Sequence, residues 1–117
     1  LLLGLVMKGG FHNPRNLPGD LLTEFDRVGH RSGYRQVKRK IFAGWRSWSE
    51  ARRFYPRIKA PVTLIYGDED WSRAEERQRN DAEVPGVRMI TIPETGHFAC
   101  LERPSEIVSI VLCERAR

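Results

Sequence analysis

The sequence predicts an α/β chain: a β-α-β-α run from the end of a parallel sheet, preceded by a helical segment. Three observations carry this. Two short runs rich in β-branched residues, 62–66 (VTLIY) and 87–92 (VRMITI), flank one helix-forming stretch. A strand, a crossover helix and a second strand within about 30 residues make a βαβ unit, and such units build parallel sheets. Before Ala60-Pro61, apolar residues recur at three- and four-residue spacing instead, which is the period of a helix.

Taken in order, the chain opens on a seven-residue apolar run, LLLGLVM, closed by Lys8. It lacks the basic start and small-residue cleavage site of a signal peptide. With no initiator Met, it reads as a buried segment inside a longer protein. Residues 13–19 hold two prolines and two asparagines, a loop composition. Asp20 is placed to cap a short helix with Leu21, Leu22, Phe25 and Val28 on one face, ended by Gly29. From about Ser32, the stripe Tyr34, Val37, Ile41, Phe42 and Trp45 predicts a longer helix, kinked at Gly44. A last helical stretch over 49–55 should stop at Pro56.

The second half is read more sharply. The run 62–66 fits a strand buried on both faces, as parallel sheets require, and Gly67 ends it. Ser72 and Glu75 have the spacing of a capping box and start a helix over 73–82. Pro85-Gly86 turns the chain into the second strand. Pro104 suits a first helical position, and Ile107, Val108, Val111 and Leu112 predict the buried face of a closing helix. Two parallel strands alone leave bare edges and faces, so more strands must exist, and the first sixty residues do not supply them.

Composition narrows the function. Of 117 residues, 40% are hydrophobic and 30% charged, a globular balance for about one small domain. No apolar run nears the ~20 residues of a membrane span, so no membrane partner is expected. Cys100 and Cys113 form no disulfide framework, so free thiols in a reducing, cytoplasmic setting are expected. No metal-ligand spacing occurs, and nothing implies a cofactor. The net charge of +5 gathers in Arg31, Arg35, Lys38, Arg39, Lys40, Arg46, Arg52 and Arg53, interleaved with Trp45, Trp48, Phe54 and Tyr55. A nucleic-acid surface is one reading. The favoured one is a solvated helix face whose aromatics point to a core, with no nucleic-acid partner.

The chemistry-bearing segments are VTLIYGDEDWS and TIPETGHFACLERPSEI. Each is the carboxyl end of a predicted strand entering a loop, the edge where open α/β sheets bind ligands. Asp70 and His97 should therefore meet at one crevice. An imidazole can take and return a proton near neutral pH, and a buried carboxylate beside it fixes its tautomer and balances its charge. Asp68 and Glu69 compete with Asp70 as the acid, or are solvated loop charges. His12 and His30 have no partner pattern and read as structural or exposed. Glu102 is assigned to the dipole of the closing helix. Trp71 either lines the pocket or packs on the next helix, and packing is favoured. A Cys100–His97 dyad is disfavoured on so tight a loop.

A strand with Gly67-Asp68-Glu69-Asp70, a helix, a second strand, then Gly96-His97 and Glu102-Arg103-Pro104 before a final helix resembles the end of the α/β-hydrolase fold. The likeness runs over about 58–111, and the helical first part resembles the later part of a cap domain. The resemblance divides the chain into a cap-like region, 1–57, and the carboxyl-terminal part of the core, 58–117. It maps the catalytic acid onto Asp70 and the general base onto His97, third and second members of a nucleophile–histidine–acid triad. It implies a hydrolase acting on a small-molecule substrate at an ester, amide, epoxide or similar bond. The chain departs from that family in one respect: it has no Gly-x-Ser-x-Gly. In Gly29-His30-Arg31-Ser32-Gly33 the serine stands one place late and in a helical region. The amino-terminal half of the core would have to supply the nucleophile. A non-catalytic binding or scaffold protein keeping the end of the fold is the alternative, and a basic nucleic-acid-binding module a distant third.

Overall fold

The computed structural model describes residues 2–115. Helix α1 (Leu2–Gly9) leads through a 3-10 turn at Pro14–Asn16 to α2 (Gly19–Gly29), α3 (Tyr34–Ala43) and α4 (Trp45–Glu50). A second 3-10 segment, Ala51–Arg57, follows. Strand β1 (Thr63–Gly67), α5 (Ala74–Glu83), β2 (Arg88–Ile92), α6 (Ala99–Glu102) and α7 (Pro104–Arg115) complete the order.

The βαβ expectation holds. β1 and β2 pair in parallel, with Thr63 opposite Arg88 and Gly67 opposite Ile92, and α5 makes the crossover. β1 begins and ends one residue later than the sequence suggests, because Gly67 still pairs with Ile92 before the chain turns.

Several local expectations are corrected. The capping role falls to Arg73 and not Ser72: the Arg73 amide donates to the Glu76 carboxylate at 3.2 Å, and α5 starts one residue later. Asp20 lies inside the first turn of α2, whose cap residue is Pro18. Pro56 sits within the 3-10 segment instead of stopping it, since the helix has already tightened at Ala51. Gly44 does separate α3 from α4. In the loop at 13–19, the Asn13 side chain accepts the Arg15 amide at 3.1 Å and winds the 3-10 turn.

The buried apolar core is small: Met7, Phe11, Val84, Ile92 and Ala99. Three expected apolar faces are open instead. In α1, Met7 is buried but Leu5 and Val6 are exposed; in α7, Val108, Val111 and Leu112 are exposed. The α3 stripe, Tyr34 through Trp45, and the aromatics Trp48 and Phe54 are exposed as well, so these aromatics do not face a core within the chain. Arg53 lies over the Phe54 ring at 4.9 Å and shields part of it. β1 is half-buried along most of its length, not enclosed on both faces.

Two global quantities express the same openness. The chain exposes 9334 Å², where a compact monomer of this mass exposes roughly 6,600 Å². Its radius of gyration is 16.7 Å, against about 13 Å for a compact domain of this length. Among the described residues no helix is long and apolar enough to cross a membrane.

Candidate active site

The site forms where the loop after β1 and the loop after β2 cross. Parallel pairing delivers both loops to the same sheet edge, and glycine lets them approach. A Cβ on Gly67 would overlap the carbonyl oxygens of Thr95 and Gly96; one on Gly96 would overlap the Gly10 carbonyl. The loops then clasp through the backbone. The Asp68 amide donates to Ile92 O at 3.0 Å, and the Glu69 amide donates to Thr95 O at 3.0 Å. Thr95 is fully buried, and its hydroxyl donates to Pro93 O at 2.8 Å.

Three consecutive carboxylates leave this junction in three directions. Asp68 accepts the Thr95 amide at 3.1 Å, and that amide holds its carboxyl below the ordinary carboxylate range. Glu69 pairs with His12 Nδ1 at 2.9 Å. Asp70 meets His97 Nδ1, at 3.3 Å from Oδ1 and 3.2 Å from Oδ2. The structure thus brings Asp70 and His97 together, and gives Asp68 and Glu69 other partners.

The Asp70–His97 pair is asymmetric in exposure. The Asp70 side chain is 7% exposed and the His97 side chain 45%. Burial raises the Asp70 carboxyl, but the Ser72 amide, donating to Oδ1 at 2.7 Å, and the adjacent His97 outweigh it. Its pKa lies below the ordinary carboxylate value, so it is ionised at neutral pH. An ionised carboxylate only accepts hydrogen bonds. His97 Nδ1 must therefore be the donor, which leaves Nε2 unprotonated in the neutral ring. A buried acid, an oriented imidazole and a basic nitrogen left for chemistry make an acid–base pair of the kind that activates a nucleophile.

Other candidates fall elsewhere. His30 Nδ1 contacts Asp26 O at 2.7 Å on an exposed helix end, as its structural reading held. His12 is exposed and pairs with Glu69, within its reading as structural or exposed. Cys100 and Cys113 are free and exposed, and no hydrogen bond joins Cys100 to His97 among the described residues. Glu102 does not serve the α7 dipole: it accepts the Gly96 amide at 2.7 Å and the Asn13 amide at 3.2 Å. Trp71 stacks on His97, with ring centroids 4.6 Å apart. Ser32 lies in the turn between α2 and α3, away from any strand end.

Sequence reasoning missed one segment altogether. Residues 9–13, after α1, run across both loops. Gly9 O accepts the Trp71 indole N–H at 2.9 Å, Gly10 O accepts the His97 amide at 2.7 Å, and the Phe11 ring lies 5.1 Å from that of Phe98. The double glycine at Gly9-Gly10 was the available signal, since it marks close backbone approach.

A cavity of about 740 Å³ lies between α1, α2 and the start of α3, lined by Leu5, Lys8, Leu22, Phe25, His30 and Tyr34 among others. None of its lining residues belongs to the Asp70 or His97 loop, so it is not the site of this chemistry. Among the described residues, no cluster of three His, Cys, Asp or Glu side chains could hold a metal ion.

Comparison with known proteins adds one sequence likeness and one likeness of fold. No family model matches the chain. Over 55 residues, 45% of the chain, it is 38% identical to a protein of Oryza sativa subsp. japonica named as a probable 1-acylglycerol-3-phosphate O-acyltransferase. The crystal structure of wild-type Cfl2 from Burkholderia cenocepacia matches 94% of the chain with a TM-score of 0.76 and 20% identity, a likeness of fold. The chain spans 13% of the first protein's length and 38% of the second's.

Proposed function

We propose that this chain supplies the acid, Asp70, and the general base, His97, of a nucleophile–histidine–acid hydrolase of the α/β-hydrolase type. Residues 1–57 form the later part of its cap and residues 58–117 the end of its core. The observation that carries the reading is the buried, ionised Asp70 against a half-exposed His97 at 3.2 Å. The nucleophile comes from polypeptide beyond these residues, which also covers the apolar faces of α3 and α7 and extends the two-stranded sheet.

The proposed reaction runs as follows from these roles. A hydroxyl nucleophile attacks the carbonyl carbon of an ester, passing its proton to His97 Nε2. Asp70 holds the Nδ1–H and balances the imidazolium. Collapse expels the alcohol, which takes the proton back from Nε2. A second hydroxyl, from water or from an acceptor alcohol, then releases the acyl group by the same exchange. The likeness to a protein named as a probable O-acyltransferase supports acyl chemistry at an ester over epoxide opening. No cofactor takes part, and a cytoplasmic setting suits the free thiols.

The test joins this chain to an upstream half bearing a nucleophile and follows p-nitrophenyl ester turnover. His97→Ala and Asp70→Asn should each lower kcat by roughly 10² to 10⁴-fold. Full rates in both variants would sink the assignment.

A further inference from the structure

The most heavily tied aromatic side chain near the pair is one the reaction above does not use. Trp71 directly follows the acid. Its indole lies face to face with the His97 imidazole, with centroids 4.6 Å apart and planes inclined by 19°. Its N–H donates to Gly9 O at 2.9 Å, and the edge of its ring system meets Phe98 at 77° and 5.5 Å. A Cβ on Gly10 would overlap both Trp71 and Phe98, so the segment over 9–13 presses on the indole from outside. Trp71 is nonetheless 47% exposed, more than its hydrophobic burial alone would select.

An imidazole turns about χ1 and χ2. The hydrogen bond from Nδ1 to Asp70 fixes one point of the ring, yet leaves it free to tilt about that contact, and at 3.2 Å the hold is loose. A flat surface along the ring face removes the tilt. From this we infer that Trp71 is a positioning residue for His97, holding the imidazole plane so that Nε2 stays aimed at the nucleophile, with the Gly9 carbonyl anchoring the indole. The inference rests on the proposed role of His97 as general base, but the stack itself can be read without any activity.

The first experiment uses the 117-residue chain. In the wild type, the His97 ring protons should resonate upfield of those of His30, which is exposed and enters no ring stack among the described residues. Trp71→Phe, which keeps a ring face, should retain most of that displacement; Trp71→Leu should lose most of it, keeping only the share of the Phe98 ring, 5.2 Å from His97. His97 ring protons coincident with those of His30 in the wild type would overturn the inference.

The second uses the joined enzyme. Trp71→Leu should lower kcat about ten- to a hundredfold with KM little changed, and Trp71→Phe should recover most of the loss. Equal losses in the two variants would overturn the role of the ring face. The two proposals fail separately: full rates in His97→Ala and Asp70→Asn remove the triad, whereas a full rate in Trp71→Leu beside those two inactive variants removes only the positioning role.

Discussion

The helical part before Arg57 and the strand–loop part after it are built on opposite terms. In α3 and α4 the large side chains Val37, Phe42 and Trp45 face outward, and Arg52 reaches across to Glu83 at 2.9 Å. At the crossing of the two loops, buried backbone is packed so closely that Gly67, Gly96 and Gly10 cannot carry a Cβ without overlap. The difference teaches where this chain is specified by itself. The loop junction is fixed by internal hydrogen bonds, while the helices keep an exposed hydrophobic face.

That contrast predicts a graded response to substitution. Gly96→Ala should cost the most, about 1–3 kcal/mol or more, because the new methyl meets backbone that cannot yield; thermal unfolding would measure it. Glu102→Ala comes next. It strips the acceptor from the buried Gly96 amide, a loss of roughly 1–3 kcal/mol, and hydrogen exchange at Gly96 should quicken.

Acid should act selectively on the same junction. The Asp70 pKa is lower folded than its unfolded value of about 3.9. Its stabilising contribution is therefore complete above that value and is lost as pH falls through the folded one. The stability gap between wild type and Asp70→Asn should be widest near neutrality and narrow below about pH 4. Smallest of all, Phe42→Glu on α3 should change stability by within about 0.5 kcal/mol. A large loss there would show that the helical face is already covered, and the contrast would fail.

The sequence made the junction partly legible. Two β-branched runs and one intervening helix imply parallel neighbours, and parallel neighbours bring Asp70 and His97 to one edge; the contact at 3.2 Å follows. The bonds of Trp71 to Gly9, of Glu102 to Asn13 and of His12 to Glu69 were not legible, because each depends on the path of residues 9–13, far off in sequence and without periodicity. The outward faces of α3 and α7 were misread for a related reason. Periodicity reports that a helix has an apolar side, but whether that side is buried depends on what packs against it.

Surface loops usually tolerate insertion and deletion. The stretch Asp68-Glu69-Asp70 should not. Its three successive carboxylates engage Thr95, His12 and His97 in that order, so a change in length by a single residue would reassign every one of them at once. Length at this bend is as fixed as residue identity, and homologous chains should vary in loop size almost anywhere before they vary here.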